Sequence, residues 1–141
     1  MNAPERLLFP DIQSRIDSRD IHIDGVGIKG LRYPISISAR GTPVPTIASL
    51  SLTVGLCASA KGTHMSRFVE LLEAQTGALD QARFKSLVFD MLKRLGAQSG
   101  AIEIRFPYFL TKAAPVSGAN SRLDYEVCWR GSVSAGGGYA F

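Results

Sequence analysis

Residues 49–72 read Ser-Leu-Ser-Leu-Thr-Val-Gly-Leu-Cys-Ala-Ser-Ala-Lys-Gly-Thr-His-Met-Ser-Arg-Phe-Val-Glu-Leu-Leu, and the change of period inside this stretch decides the fold. Up to Leu56 the period is two: Leu50, Leu52, Val54 and Leu56 alternate with Ser49, Ser51, Thr53 and Gly55, the pattern of a strand with one buried and one polar face. From Met65 the period becomes helical, with Met65, Phe68, Val69 and Leu72 on one stripe and Gly77 as its stop. The junction Lys61–Phe68 packs a Lys, a Gly, two hydroxyls, one of the two histidines and an Arg into a single turn region. A strand-to-helix junction exposes backbone N–H groups and the positive end of a helix dipole, which suits an anion. A plain loop with Thr63 or Ser66 as N-cap fits the same residues.

Toward the N-terminus, Leu31–Ser38 reads as a first strand with Tyr33, Ile35 and Ile37 on one face. Gly41, Pro43 and Pro45 then make a turn, so the two strands form a hairpin. Residues 1–30 show no sustained period and read as an extended arm, punctuated by Gly25, Gly27 and Gly30.

Toward the C-terminus, a second helix starts at Asp80, with Phe84, Leu87, Val88, Met91 and Leu95 as its apolar stripe and Gly96 at the C′ position. Alternation returns at Ala101–Phe106, where Pro107 limits the strand or places it at an edge. Ala114–Gly118 is turn chemistry, and Leu123, Tyr125, Val127 and Trp129 form a last strand, with Trp129 assigned to the core. Residues 134–141 are a Gly-rich tail without a partner pattern. The chain is therefore expected to be α+β in the order ββααββ, a four-stranded antiparallel sheet with two helices packed on one face. It forms a single module over residues 31–133.

At 141 residues, 45% hydrophobic and 20% charged, the chain can bury one ordinary core. Its formal charge of +4 mildly favours anionic partners. No apolar run reaches the roughly 18 residues that would span a bilayer, and residues 1–10 lack the apolar region of a signal peptide. A cytoplasmic protein with no membrane partner is the expectation. Cys57 and Cys128 make neither a disulfide framework nor a metal set.

The order of elements, together with particular words, resembles the N-terminal half of the type IB GTP cyclohydrolase I family. The words are Val26–Pro34, Lys61–Glu70, Arg105–Phe109, Lys112, Ala114–Gly118 and Asp124–Val127. The resemblance implies a tunnelling fold (T-fold), in which ββααββ modules join edge to edge as multimers with active sites at module interfaces. It also implies hydrolysis of GTP to 7,8-dihydroneopterin triphosphate and formate, on the way to folate, with a divalent metal (zinc or manganese) activating water. The family's metal word, a Cys-Pro-Cys segment with a following His, belongs to a second module. His22, Cys57, His64 and Cys128 lie in four separate segments without ligand spacing, so no metal ligands are expected from this chain, and alone it should be inactive.

Within that frame His64 reads as a substrate contact or proton carrier at a module interface, or as a capping histidine in a loop. Lys61 and Arg67 read as triphosphate ligands or as a solvated positive pair. Thr63 and Ser66 read as caps before ligands. The implied partners are GTP and other T-fold modules. One alternative is a truncated, non-catalytic assembly or purine-binding module. A nucleic-acid-binding module is the weaker reading, because Tyr108 and Phe109 beside Arg105 and Lys112 give only a thin version of the aromatic and basic surface it needs.

Overall fold

The computed structural model describes residues 23–59 and 62–141, together with residue 16. Most of the expected arm, with Asp11, Asp17, Asp20 and His22, lies outside the described residues, as does Lys61. The elements run β1 (Ile23–Ala39), β2 (Thr42–Leu56), α1 (Ser66–Glu73), α2 (Gln81–Leu95), β3 (Gly100–Ala113), β4 (Asn120–Val133) and β5 (Tyr139–Ala140). They form one antiparallel sheet in the order β1-β2-β3-β4-β5.

The α+β architecture with two helices on an antiparallel sheet is as expected. The strand count is five rather than four, because the Gly-rich tail returns to the sheet. Gly137 takes φ +83°, the turn closes through Ser134 N–H to Gly138 O at 3.0 Å, and Tyr139 and Ala140 pair with Val133 and Ser132. What holds the tail is aromatic packing. The Phe141 ring lies 5.8 Å from Phe84 and 6.1 Å from Trp129, in edge-on geometry.

Three further boundaries move. β2 begins at Thr42, so Pro43 and Pro45, expected in the turn, lie in the strand opposite Ser38 and Ser36, and the turn shrinks to Arg40 and Gly41. β1 begins at Ile23 rather than Leu31, so residues 23–30 belong to the sheet, with register shifts after Ile23 and after Ile28. Gly27 is required there: a Cβ at this position would lie 1.9 Å from the Leu52 carbonyl oxygen. β3 runs through Pro107 to Ala113. Its ladder with β2 stops at Arg105–Ser49, and beyond that point only β4 pairs with it. The Pro107 carbonyl accepts from Thr46 Oγ1 at 3.4 Å. The proline nitrogen, which points to the same side, therefore sits where no ladder donor is needed.

The core lies between the sheet and the helices. Leu50, Leu52 and Val54 from β2 and Ile102, Ile104 and Phe106 from β3 meet Phe68, Leu71 and Leu72 from α1 and Phe84, Leu87, Val88 and Met91 from α2. Each fully buried side chain of this size contributes about 1.5–3 kcal/mol. Trp129 is half-buried and packs on Phe84 and Phe106 at 5.8 and 5.7 Å. The α2 stripe is as read from its spacing, with Leu92 buried in place of Leu95. In α1 the buried face is Phe68, Leu71 and Leu72, while Met65 and Val69 are exposed.

The caps of α2 also agree with the sequence. Asp80 accepts from Arg83 N–H at 2.8 Å, and Gly96 closes the helix in the left-handed region at φ 62°. α1 differs: its N-cap position is Met65, without a side-chain cap bond. Neither Thr63 nor Ser66 caps it.

Candidate functional site

The junction word joins the end of β2 to α1 and leans on the end of α2. Gly55 N–H donates to Ser99 O at 2.9 Å, which fixes the end of β2 beside the loop that follows α2. The first turn of α1 closes with Arg67 N–H on His64 O at 3.1 Å and Phe68 N–H on Met65 O at 3.2 Å. Phe68, fully buried, is the anchor that holds the word against the sheet.

Thr63 is 8% exposed, the only buried polar side chain among the described residues. It lines a hollow of about 220 Å³ with Leu56, Cys57 and Gly62 on one side and Leu95, Gly96, Ala97 and Ser99 on the other. His64 is half-buried beside it. Arg67 turns toward α2, where its guanidinium donates to Arg94 O at 3.2 Å, at the helix end whose carbonyls lack intrahelical partners. The structure thus brings Thr63, His64 and Arg67 together at one end of the sheet, against the C-terminus of α2.

Cys57 and Cys128 are both exposed and unbridged. Among the described residues no group of three or more His, Cys, Asp or Glu converges on a point where a metal would sit. Among the same residues no helix is long and apolar enough to cross a membrane.

Two other surfaces stand out. A hollow of about 440 Å³ opens between Tyr33–Ser36 of β1 and the α1–α2 connection. That connection is tied to β1 through Leu79, whose N–H donates to Ser36 O and whose carbonyl accepts from Ser38 N–H, both at 2.7 Å. At its rim the Tyr33 hydroxyl donates to Glu73 Oε1, and this bond, with burial and the neighbouring carboxylate, raises the Tyr33 pKa above its ordinary value.

The other surface is the polar sheet face. Arg105 Nε lies 2.8 Å from Glu103 Oε1 and its Nη1 lies 3.6 Å from Glu126 Oε1. The hydrogen bond from Arg105 holds the Glu103 carboxyl below the usual carboxylate range, with Arg130 and Lys29 adding to the effect. The alternation of Ser49, Ser51 and Thr53 signalled this face; that Lys29 and Arg130 join it depends on cross-strand register, which a sequence does not display.

The family model described as type I GTP cyclohydrolase folE2 matches residues 9–140. Over 127 residues the chain is 54% identical to GTP cyclohydrolase FolE2 1 of Dechloromonas aromatica, covering 89% of this chain and 48% of that protein. It is 53% identical over 120 residues to GTP cyclohydrolase FolE2 2 of Cupriavidus metallidurans, covering 85% and 45%. To GTP cyclohydrolase FolE2 of an Azoarcus species (strain BH72) it is 44% identical over 142 residues, covering 100% and 53%. The chain spans about half the length of the curated relatives it matches.

Proposed function

Because the chain belongs to the type I GTP cyclohydrolase FolE2 family, we propose that it is an N-terminal T-fold module, of the type IB kind, serving a GTP cyclohydrolase in folate synthesis. The reaction it serves is the hydrolysis of GTP to 7,8-dihydroneopterin triphosphate and formate. The observation that carries this reading is the match across residues 9–140 on a frame of one antiparallel sheet backed by two helices.

In this reading the module supplies part of the substrate site, and the remaining half of the enzyme supplies the divalent metal's ligands. His64 is an accessory group facing GTP across a module interface. Lys61 and Arg67 bind the triphosphate, and Thr63 positions the loop from inside the hollow. Arg67 can hold α2 and a phosphate together, because a guanidinium carries five N–H donors and the Arg94 carbonyl takes one.

The same reading makes the chain part of an oligomer of modules in the cytoplasm. β1 forms one edge of the sheet. On the other side β5 covers only Ser132 and Val133, which leaves the length of β4 before them as a second edge among the described residues. Phe109, Leu123 and Tyr125 are exposed along the β3–β4 hairpin. Long edges with exposed apolar side chains are surfaces that natural sheets cover.

Growth tests this reading in a bacterium that lacks GTP cyclohydrolase and depends on supplied folate end products. The chain joined to the second half of the Dechloromonas relative should restore independent growth, and the chain alone should not. A soluble joined protein that fails to restore growth would contradict the assignment.

A further inference from the structure

The sheet face turned away from the helices carries cations without an ion-pair partner among the described residues. Cross-strand register sets them out in two rows. In one, Ser51 is opposite Glu103 and Glu103 is opposite Arg130, while Gly30 N–H, beside Lys29, donates to Ser51 Oγ at 3.3 Å. In the next, Arg32 is opposite Ser49 and Ser49 is opposite Arg105. Between them lies a shallow hollow of about 540 Å³, lined by Lys29, Arg105, Arg130, the hydroxyl residues Ser49, Ser51 and Thr53, and Glu103.

Charge decides what such a hollow holds. Arg105 is committed to Glu103 and Glu126. Among the described residues, Lys29, Arg32 and Arg130 have no carboxylate within ion-pair distance. The lining therefore sets Lys29, Arg105 and Arg130 against the single carboxylate of Glu103. The neighbouring hollow adds Arg32 together with Asp124 and Glu126, the latter already paired with Arg105, so cations still outnumber carboxylates across the two. Ser51 Oγ accepts from the backbone and so keeps its own proton to donate outward.

Breadth decides the kind of anion. Adjacent strands lie about 4.8 Å apart, so the backbones carrying Lys29 on β1 and Arg130 on β4 are separated by roughly 14 Å. A chain of phosphates offers each of the cations spread over that span its own oxygens, which a single phosphate group does less well. We infer that this face is an oligophosphate-binding site in which Lys29, Arg32 and Arg130 hold the anion and the Ser49 and Ser51 hydroxyls donate to it. The site lies on the opposite side of the sheet from α1 and α2, and it stands whether or not the chain serves a cyclohydrolase.

Calorimetric titration of the 141-residue chain with inorganic tripolyphosphate at low ionic strength tests the inference. Saturable binding, tighter than that of inorganic phosphate, is the expected result. Lys29→Ala combined with Arg130→Ala should weaken it by about tenfold or more. Glu103→Gln should tighten it, because it removes the one carboxylate in the lining, and a gain of this sort cannot come from misfolding. GTP should bind this face about as well as tripolyphosphate, and guanosine should not bind it. Unsaturable binding, an unchanged affinity in the double variant or in Glu103→Gln, or a preference for guanosine over tripolyphosphate would overturn it.

Discussion

Arg67, in the first turn of α1, donates through its guanidinium to the carbonyl oxygen of Arg94 in the last turn of α2, 3.2 Å away. The bond fastens the junction word to a helix end where carbonyl groups are short of donors and a cation is favoured. A residue whose type and position suggest phosphate binding is thus also a strut between two helices. Replacing Arg67 by Ala should lower stability by about 1 kcal/mol, read as a fall in the urea midpoint. Arg67→Lys should restore part of it, since an ammonium reaches one carbonyl but lacks the planar fork. An unchanged midpoint in Arg67→Ala would remove the strut.

Asp80 caps α2 through a 2.8 Å bond from Arg83 N–H. Asp80→Ala should cost about 1 kcal/mol, and Asp80→Asn much less, because an amide oxygen accepts the same bond. Thermal unfolding of the two variants checks this, and equal losses would show that the cap bond is not what matters.

At Gly27 the backbone of β1 leaves no room for a side chain against β2. A Cβ there would stand 1.9 Å from Leu52 O and 2.9 Å from Thr53 Cα, and both are backbone atoms that cannot rotate away. Gly27→Ala should therefore destabilise the protein by about 3 kcal/mol, the upper end for overpacking, or prevent soluble expression. A variant with wild-type stability would mean that the two strands separate without cost.

Tyr33 and Glu73 give a pH dependence of definite sign. The pKa of Tyr33 is raised by its bond to Glu73, so folding favours the neutral phenol. The stabilisation is complete below the ordinary tyrosine value and is lost as pH rises through the higher folded-state value. Urea midpoints of wild type and Tyr33→Phe should therefore differ by a constant amount at pH 7–9 and converge at strongly alkaline pH. A gap that widens with pH would reverse the assignment.

Much of this was legible in the sequence, and the exceptions have physical causes. Period two in Leu50–Leu56 and the 3.6 period in Phe84–Met91 report burial directly, so the second half of β2 and α2 with its caps were readable, whereas Pro43 and Pro45 made the first half of β2 look like a turn. Met65 and Val69 match a helical stripe yet lie exposed, because in so short a helix the stripe can rotate by one position and Leu71 takes the buried place. The start of β1 was hidden by its glycines, which look like turns but serve close backbone approach at Gly27 and a bulge at Gly30. β5 was hidden because only two residues pair and aromatic packing holds them. Of the candidate site, the word itself was plain. That Arg67 faces α2 and that Lys29 and Arg130 share a surface follows from tertiary packing and register, which no local pattern carries.

The most direct test of the central claim is GTP turnover with added Mn²⁺ or Zn²⁺, read as pterin fluorescence after oxidation. It is run on the purified chain alone and on the chain mixed with the second half of a FolE2 relative. The account predicts no turnover by the chain alone, turnover in the mixture, and a large loss in the mixture when the chain carries His64→Ala. Turnover by the chain alone, or none in a mixture that demonstrably assembles, would contradict it.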